Sequence, residues 1–207
     1  MKSILTLTIL LFTQFVMAQD IALPAPETTG GKPLMNCLNE RKSSREFSSK
    51  EIQWQDLSNL LWAANGINRE KDHKHTAPTS MNRQNMEVYV IIPSGVYLYD
   101  DTTNMLRLVQ QGNHMKAAGK QDFVEKAPLN VIIVSDMKKL GDHPIENNLL
   151  DSGIHAGAII QNIYLYCASA GLNCVVRAWF DPQVLSATLK LPEHKRVILA
   201  QTVGYPD

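Results

Sequence analysis

The sequence has no surplus of charge of either sign: twenty Lys and Arg are cancelled by twenty Asp and Glu over 207 residues. Without a basic stripe or block there is no electrostatic footprint for a nucleic acid, nor for an anionic membrane surface. Cysteine is scarce as well. Cys37, Cys167 and Cys174 form an odd set, in a chain long enough to bury a core without covalent staples. They read as small buried hydrophobes, with a Cys167–Cys174 bridge left open. Histidines lack ligand spacing: His73 and His75 stand two apart, while His114, His143, His155 and His194 are scattered. That gives a metal-dependent enzyme no support. Nor is there an internal repeat or a second linker, so the length suits one domain with a short extension.

Long apolar runs are also missing, except at the start. In MKSILTLTILLFTQFVMAQD one Lys precedes an apolar stretch from Ile4 to Met17, and Val16-Met17-Ala18 precedes Gln19. This pattern predicts a signal peptide over 1–18 with cleavage before Gln19; the stretch is shorter than the roughly 20 apolar residues of a membrane span. The mature chain is expected to be exported, to the periplasm, with no stable membrane insertion after cleavage; a retained N-terminal anchor is the alternative. Residues 19–33, rich in Pro, Gly and Thr, predict an extended lead-in.

From residue 34 onward, apolar spacing predicts a short helix over 34–41 and a second over 54–65, where Trp54, Leu57, Leu61 and Ala64 recur at helical intervals. Gly66 is expected to supply a left-handed stop. Two apolar runs, 87–92 and 96–99, flank Pro93-Ser94-Gly95 and predict a β-hairpin. Residues 104–126 are expected to be helical in part. Asn130-Val-Ile-Ile-Val134 reads as a strand buried on both faces. A long helix follows over 147–170, closed by Gly171, then core strands at 174–176 and 197–203 with a helix over 182–189 between them. This order predicts an α+β domain with a mainly antiparallel sheet surrounded by helices. The long helix is apolar nearly all round, which places it either in the centre of the core or in a subunit interface.

Two polar stretches are candidates for chemistry. Arg41-Lys-Ser43-Ser-Arg45 gathers three cations around hydroxyls. If the backbone is extended there, Arg41, Ser43 and Arg45 share one face and match a terminal phosphate; a solvated helix end is the plainer reading. The second stretch, His75 to Gln84, is rich in turn residues and directly precedes a strand. Pro78 fixes its backbone, and Thr79, Ser80, Asn82 and Gln84 offer donors and acceptors.

In order along the chain these stretches resemble the nitroreductase-like FMN-dependent flavoproteins, and within them the azoline-oxidase type dehydrogenases. Arg41-Lys-Ser43-Ser-Arg45-Glu-Phe47 is similar to their Arg-Arg-Ser-x-Arg-x-Phe opening, and Leu60-Leu-Trp62-Ala-Ala-Asn-Gly66 to their Leu-Leu-Trp-Ala-Ala-x-Gly helix end. Thr76-Ala-Pro78-Thr-Ser80, Gly95-Val-Tyr-Leu-Tyr99-Asp, Gln121-Asp-Phe-Val124 and the long helix through Asn162, Leu165 and Ala168 follow in register. The resemblance covers about 33–206 and implies a nitroreductase-like FMN-binding domain over 34–207, dimer-forming, with FMN at the homodimer interface. It implies that Arg41, Ser43 and Arg45 hold the FMN phosphate. Pro78, Thr79 and Ser80 line the isoalloxazine ring from the partner subunit, and Gln121 meets the polar edge of the ring. The loop through Ala178 and Trp179 presents a backbone N–H to flavin N5. Ala178 and Trp179 stand where many members have an acidic residue and Gly. Asn85-Met86 replaces a Pro-Trp common in nitroaromatic reducers.

The implied function is hydride transfer between flavin N5 and a small organic substrate. Export favours the dehydrogenase or oxidase direction, because reduced nicotinamides are scarce outside the cytoplasm. A nicotinamide-fed nitro or quinone reductase and a non-catalytic flavin-binding module are the alternatives. No protein acid, base or nucleophile is assigned.

Overall fold

Residues 19–207 are described by the computed structural model; the expected signal peptide lies outside the described residues. The strands are β1 (Ile21–Ala22), β2 (Ile67–Arg69), β3 (Lys74–His75), β4 (Met86–Ile92), β5 (Gly95–Asp100), β6 (Met105–Gln111), β7 (Leu129–Asp136), β8 (Asn173–Arg177) and β9 (Lys195–Gly204). Helices are α1 (Leu34–Glu40), α2 (Trp54–Asn65), α3 (Phe123–Lys126), α4 (Ile145–Ala170) and α5 (Pro182–Thr188). Seven strands form one sheet in the order β1-β6-β5-β4-β7-β9-β8, and β2 with β3 makes a separate ribbon. Every pairing in the sheet is antiparallel. This is the expected α+β architecture.

The two most continuous apolar runs, β4 and β7, lie side by side in the middle, where both faces must be covered. Alternation then divides their side chains. Val88, Val90, Val131 and Ile133 pack with Leu57, Leu60 and Leu61 of α2 and with Ala156, Ile159 and Ile163 of α4. Tyr89, Ile91, Ile132 and Val134 face the other way, onto Met115, Val124 and Leu185. The lead-in is extended as expected, and its Ile21–Ala22 adds an edge strand to β6.

The helical expectation for 104–126 holds only at its end. Residues 105–111 are β6, paired with β5 from Gly95↔Gln111 to Asp100↔Met105; a single 3-10 turn (115–118) and α3 supply the helical part. Leu106, Leu108 and Gln110 recur at the strand interval of two, and the neighbouring β5 decides the matter.

Gly171 does stop α4 in a left-handed conformation, with φ 72°. Gly66 does not: its backbone is extended, with φ −74° and ψ 162°. What requires glycine there is space, because a Cβ would lie 2.7 Å from the Trp62 Cα.

Helix α4 buries Ala156, Ile159, Ile160, Ile163 and Cys167. Its opposite side leaves Leu150 and Ile154 exposed, as α1 leaves Leu34, Met35 and Leu38. The three cysteines are free and buried.

Candidate functional site

Strand β8 is the edge of the sheet, so its outward backbone groups need partners. The basic segment supplies them. Leaving α1 at Arg41 (φ −55°, ψ 121°), the chain runs along β8. The Ser44 N–H donates to the Cys174 carbonyl at 3.0 Å, and the Asn173 amide donates to the Glu46 carbonyl at 2.8 Å. Phe47 closes the segment, buried with Ala127 and Val175 and 5.7 Å from the Phe123 ring. Tyr164 of α4 completes the arrangement. Its hydroxyl accepts the Val176 N–H at 2.9 Å and shares a hydrogen bond with Ser43 Oγ at 2.7 Å. The Arg41 guanidinium stands 5.1 Å from the centroid of the same ring.

The segment is thus fixed by its backbone while its charges stay available. Among the described residues, neither Arg41, Lys42 nor Arg45 has a carboxylate within ion-pair distance. Two guanidinium forks, an ammonium and hydroxyls, none neutralised, suit an anion such as a phosphate.

β8 leads directly into Ala178 and Trp179. The Phe180 N–H turns back onto the Ala178 carbonyl, and the Trp179 carbonyl accepts from the Lys120 N–H, both at 3.1 Å. No acceptor among the described residues takes the Trp179 N–H, and the indole is 62% exposed. The Lys120 contact places Gln121 beside this loop. Its buried Oε1 has no hydrogen-bond partner among the described residues, an arrangement that buried polar atoms rarely keep without a ligand or water.

Beneath the loop lies Arg177, buried and facing neutral acceptors only. Its Nε donates to Thr202 Oγ1, Nη1 to the Ala118 carbonyl and Nη2 to Asn130 Oδ1, each at 2.8 Å. Burial without a counter-ion pushes its pKa down to about 10. A Cβ at Gly119 would collide with Arg177 Nη1 and lie 3.1 Å from Gln121 Oε1. The Gln121 turn and the 178–180 loop therefore stand at the C-terminal end of β8, while the basic segment runs along the strand's outer edge.

Pro78, Thr79 and Ser80 stand apart from that group. Pro78 and Ser80 are exposed, and the chain beyond them takes left-handed backbone at Met81, Asn82 and Gln84, which non-glycine residues adopt at a cost. Thr79 Oγ1 accepts the Gln84 N–H, and Ser80 is held by His155 of α4. His155 and Tyr164 are nine residues apart on one helix, about 13 Å along its axis. A single chain therefore carries two separated groups: Arg41, Ser43, Arg45, Gln121, Ala178 and Trp179 around β8, and the 78–80 loop further along α4.

Tyr164, His155, Asn85 and Arg177 position these residues and were not among the candidates. The available signal was a His and a Tyr on the buried side of a largely apolar helix, where polar tips need partners.

The Nitroreductase family model matches residues 38–205. A candidate nitroreductase of Methanocaldococcus jannaschii is 28% identical over 177 residues, covering 80% of this chain and 88% of its own. A solved structure of a candidate nitroreductase from Ralstonia eutropha JMP134 is 39% identical, with TM-score 0.87 over 92% of this chain and 90% of that one. The fold also matches the Escherichia coli microcin synthetase McbBCD complex with truncated pro-MccB17 bound, at 15% identity and TM-score 0.69, over 89% of this chain and 76% of that one. With an anion-ready segment at the sheet edge and a match spanning nearly the whole described chain, this protein belongs to the Nitroreductase family of oxidoreductases, whose members generally use a flavin.

Proposed function

We propose that this chain binds FMN and moves a hydride between the flavin and a small organic substrate, in the dehydrogenase or oxidase direction of the azoline-oxidase type enzymes, at a site completed by a second copy. One observation carries the reading. The un-neutralised Arg41, Lys42 and Arg45 lie on the segment that edges β8, the strand that leads directly to a Trp179 N–H and, beside it, a Gln121 Oε1 without partners. An anion binder and a polar-edge binder along one strand fit a phosphorylated, polar-edged ring.

FMN bound there supplies hydride transfer at its N5. Arg41, Arg45 and Ser43 hold the phosphate, with Lys42 adding charge. Gln121 meets the polar edge of the ring, and the loop of Ala178 and Trp179 offers its backbone donor to it. The exposed Trp179 indole bounds the space for the substrate and excludes water from one side of it. Pro78, Thr79 and Ser80 line the ring of the partner's site. The exposed stripe of Leu34, Met35, Leu38, Leu150 and Ile154 is the surface that a second copy covers; a patch of this kind marks an interaction surface.

The direction follows from export. A mature chain beginning at Gln19 outside the cytoplasm meets little reduced nicotinamide, so hydride comes from the substrate itself. Purified protein should be a yellow dimer that releases FMN on denaturation. Arg41→Ala with Arg45→Ala should abolish flavin retention. A colourless monomer, or unchanged flavin in the double variant, refutes the assignment. Anaerobic bleaching by oxidisable substrates without nicotinamide, and N-terminal sequencing of native protein, test direction and export.

A further inference from the structure

The loop after Pro78 holds a conformation that it would not keep unaided, with φ of 52°, 54° and 47° at Met81, Asn82 and Gln84. Its far end is tied by Lys139 Nζ to the Gln84 carbonyl at 3.0 Å and by Arg83 to the Leu140 carbonyl. Its near end is tied by one side chain. Ser80 N–H donates to His155 Nε2 at 2.8 Å, and Ser80 Oγ lies 3.0 Å from the same nitrogen.

A backbone N–H can only donate, so His155 Nε2 must carry a lone pair. The ring proton therefore sits on Nδ1, which donates to Asn85 Oδ1 at 2.8 Å. Asn85 is fixed in turn, because its amide donates to Ser135 Oγ at 2.8 Å. Ser135 is 2.8 Å from Ser152 Oγ, which donates to the Asn148 carbonyl at 2.7 Å. Donation runs in one direction, from the Ser80 N–H through His155, Asn85 and Ser135 to Ser152 and the Asn148 carbonyl, and every member but Ser80 is buried, so each sets the orientation of the next.

We infer that His155, held neutral as its Nδ1–H tautomer by Asn85, is a positioning residue that keeps the Pro78–Ser80 loop in its ring-facing conformation. This inference rests on the FMN reading for what the loop faces, and on geometry alone for how it is held. An imidazolium would direct an N–H at the Ser80 N–H and release the loop. The charged groups facing the ring are Asp151, one turn back on α4, and Arg83 from the loop; Asn85 and Ser135, from the sheet side, are uncharged.

The test uses full-length protein with amide hydrogen exchange at 79–84, alongside FMN titration. His155→Ala should speed exchange at Ser80 and its neighbours by about three- to tenfold, leave β7 unchanged and weaken FMN binding. His155→Gln, whose carbonyl restores an acceptor, should recover most of both. Asn85→Asp should stabilise the imidazolium, opening the loop at neutral pH and reclosing it as pH rises; a packing role alone gives no such pH response. The inference is overturned by unaltered exchange in His155→Ala, by His155→Gln behaving like Ala, or by a pH-indifferent Asn85→Asp. Wild-type protein that takes up no FMN overturns the ring assignment, and the exchange data then judge the anchoring separately.

Discussion

Tyr164→Phe removes one oxygen from the point where helix, sheet edge and basic segment meet. The ring stays, so its buried packing and the Arg41 guanidinium 5.1 Å from its centroid are unchanged. Two hydrogen bonds go. The Val176 N–H, donated at 2.9 Å, is on the outward side of an edge strand and half-buried. Left unpaired, such a donor costs about 1–2 kcal/mol. Ser43 loses its 2.7 Å partner but is exposed and turns to water, so its share of the stability loss is small. For a chain of this size the sum lowers Tm by roughly 2–8 °C.

The second effect falls on the ligand. Ser43 Oγ is no longer aimed by Tyr164, so in the proposed FMN site one hydroxyl of the phosphate set would have to be ordered on binding. A single hydrogen bond of about 0.5–1.5 kcal/mol makes FMN binding roughly two- to tenfold weaker. Thermal unfolding without FMN and quenching of flavin fluorescence read the two effects independently. Lower Tm with an unchanged Kd would leave Tyr164 as a strand-edge partner only. Unchanged Tm and Kd together would refute the claim that its hydroxyl fixes the segment.

Arg177→Met should cost more than Tyr164→Phe, about 3 kcal/mol or more, because it leaves Thr202, Ala118 and Asn130 acceptors buried without their donor; chemical denaturation measures it, and near-wild-type stability would contradict the buried network. Acidification should destabilise the protein through His155. Burial holds its pKa below the usual value, so below about pH 6.5 the unfolded chain binds the proton that the folded chain refuses. Stability is full above that pH and falls as pH drops through the folded pKa. Denaturation curves of wild type and His155→Gln should converge as pH falls; a constant difference refutes this.

Much of the fold was legible because its central strands carry their signal in themselves. The run at 130–134 is apolar without interruption, and a strand of that kind has its place only between covered faces. β6 is different: Met-Leu-Arg-Leu-Val-Gln-Gln mixes periods, and pairing with β5 settles it. Gly66 shows a subtler limit. Its position at the helix end was readable, but the reason, the approach of Trp62, exists only in three dimensions. The candidate site divides the same way. Arg41, Ser43 and Arg45 form a local motif, whereas the residue that orients Ser43 is 121 positions away and resembled an ordinary core tyrosine.

The arrangement of α4 suggests why the positioning residues were hidden there. A helix of 26 residues packed on the sheet is a rigid ruler, and it carries Tyr164 for the basic segment and His155 for the strained loop. Nine residues is about two and a half turns, so the two side chains leave the helix roughly 180° apart, at opposite edges of its buried arc, and their spacing is set by helix pitch, not by loop conformation. The outer surface of the same helix is left apolar at Leu150 and Ile154. If a second copy covers that stripe, the ruler also sets the distance between one chain's anion-binding segment and the other's loop. A site divided between two chains requires that rigidity, because slack in either anchor would be added across the interface. Retaining polar His and Tyr side chains among the buried residues of this helix follows from this requirement more readily than from stability, for which aliphatic residues of similar volume would serve as well.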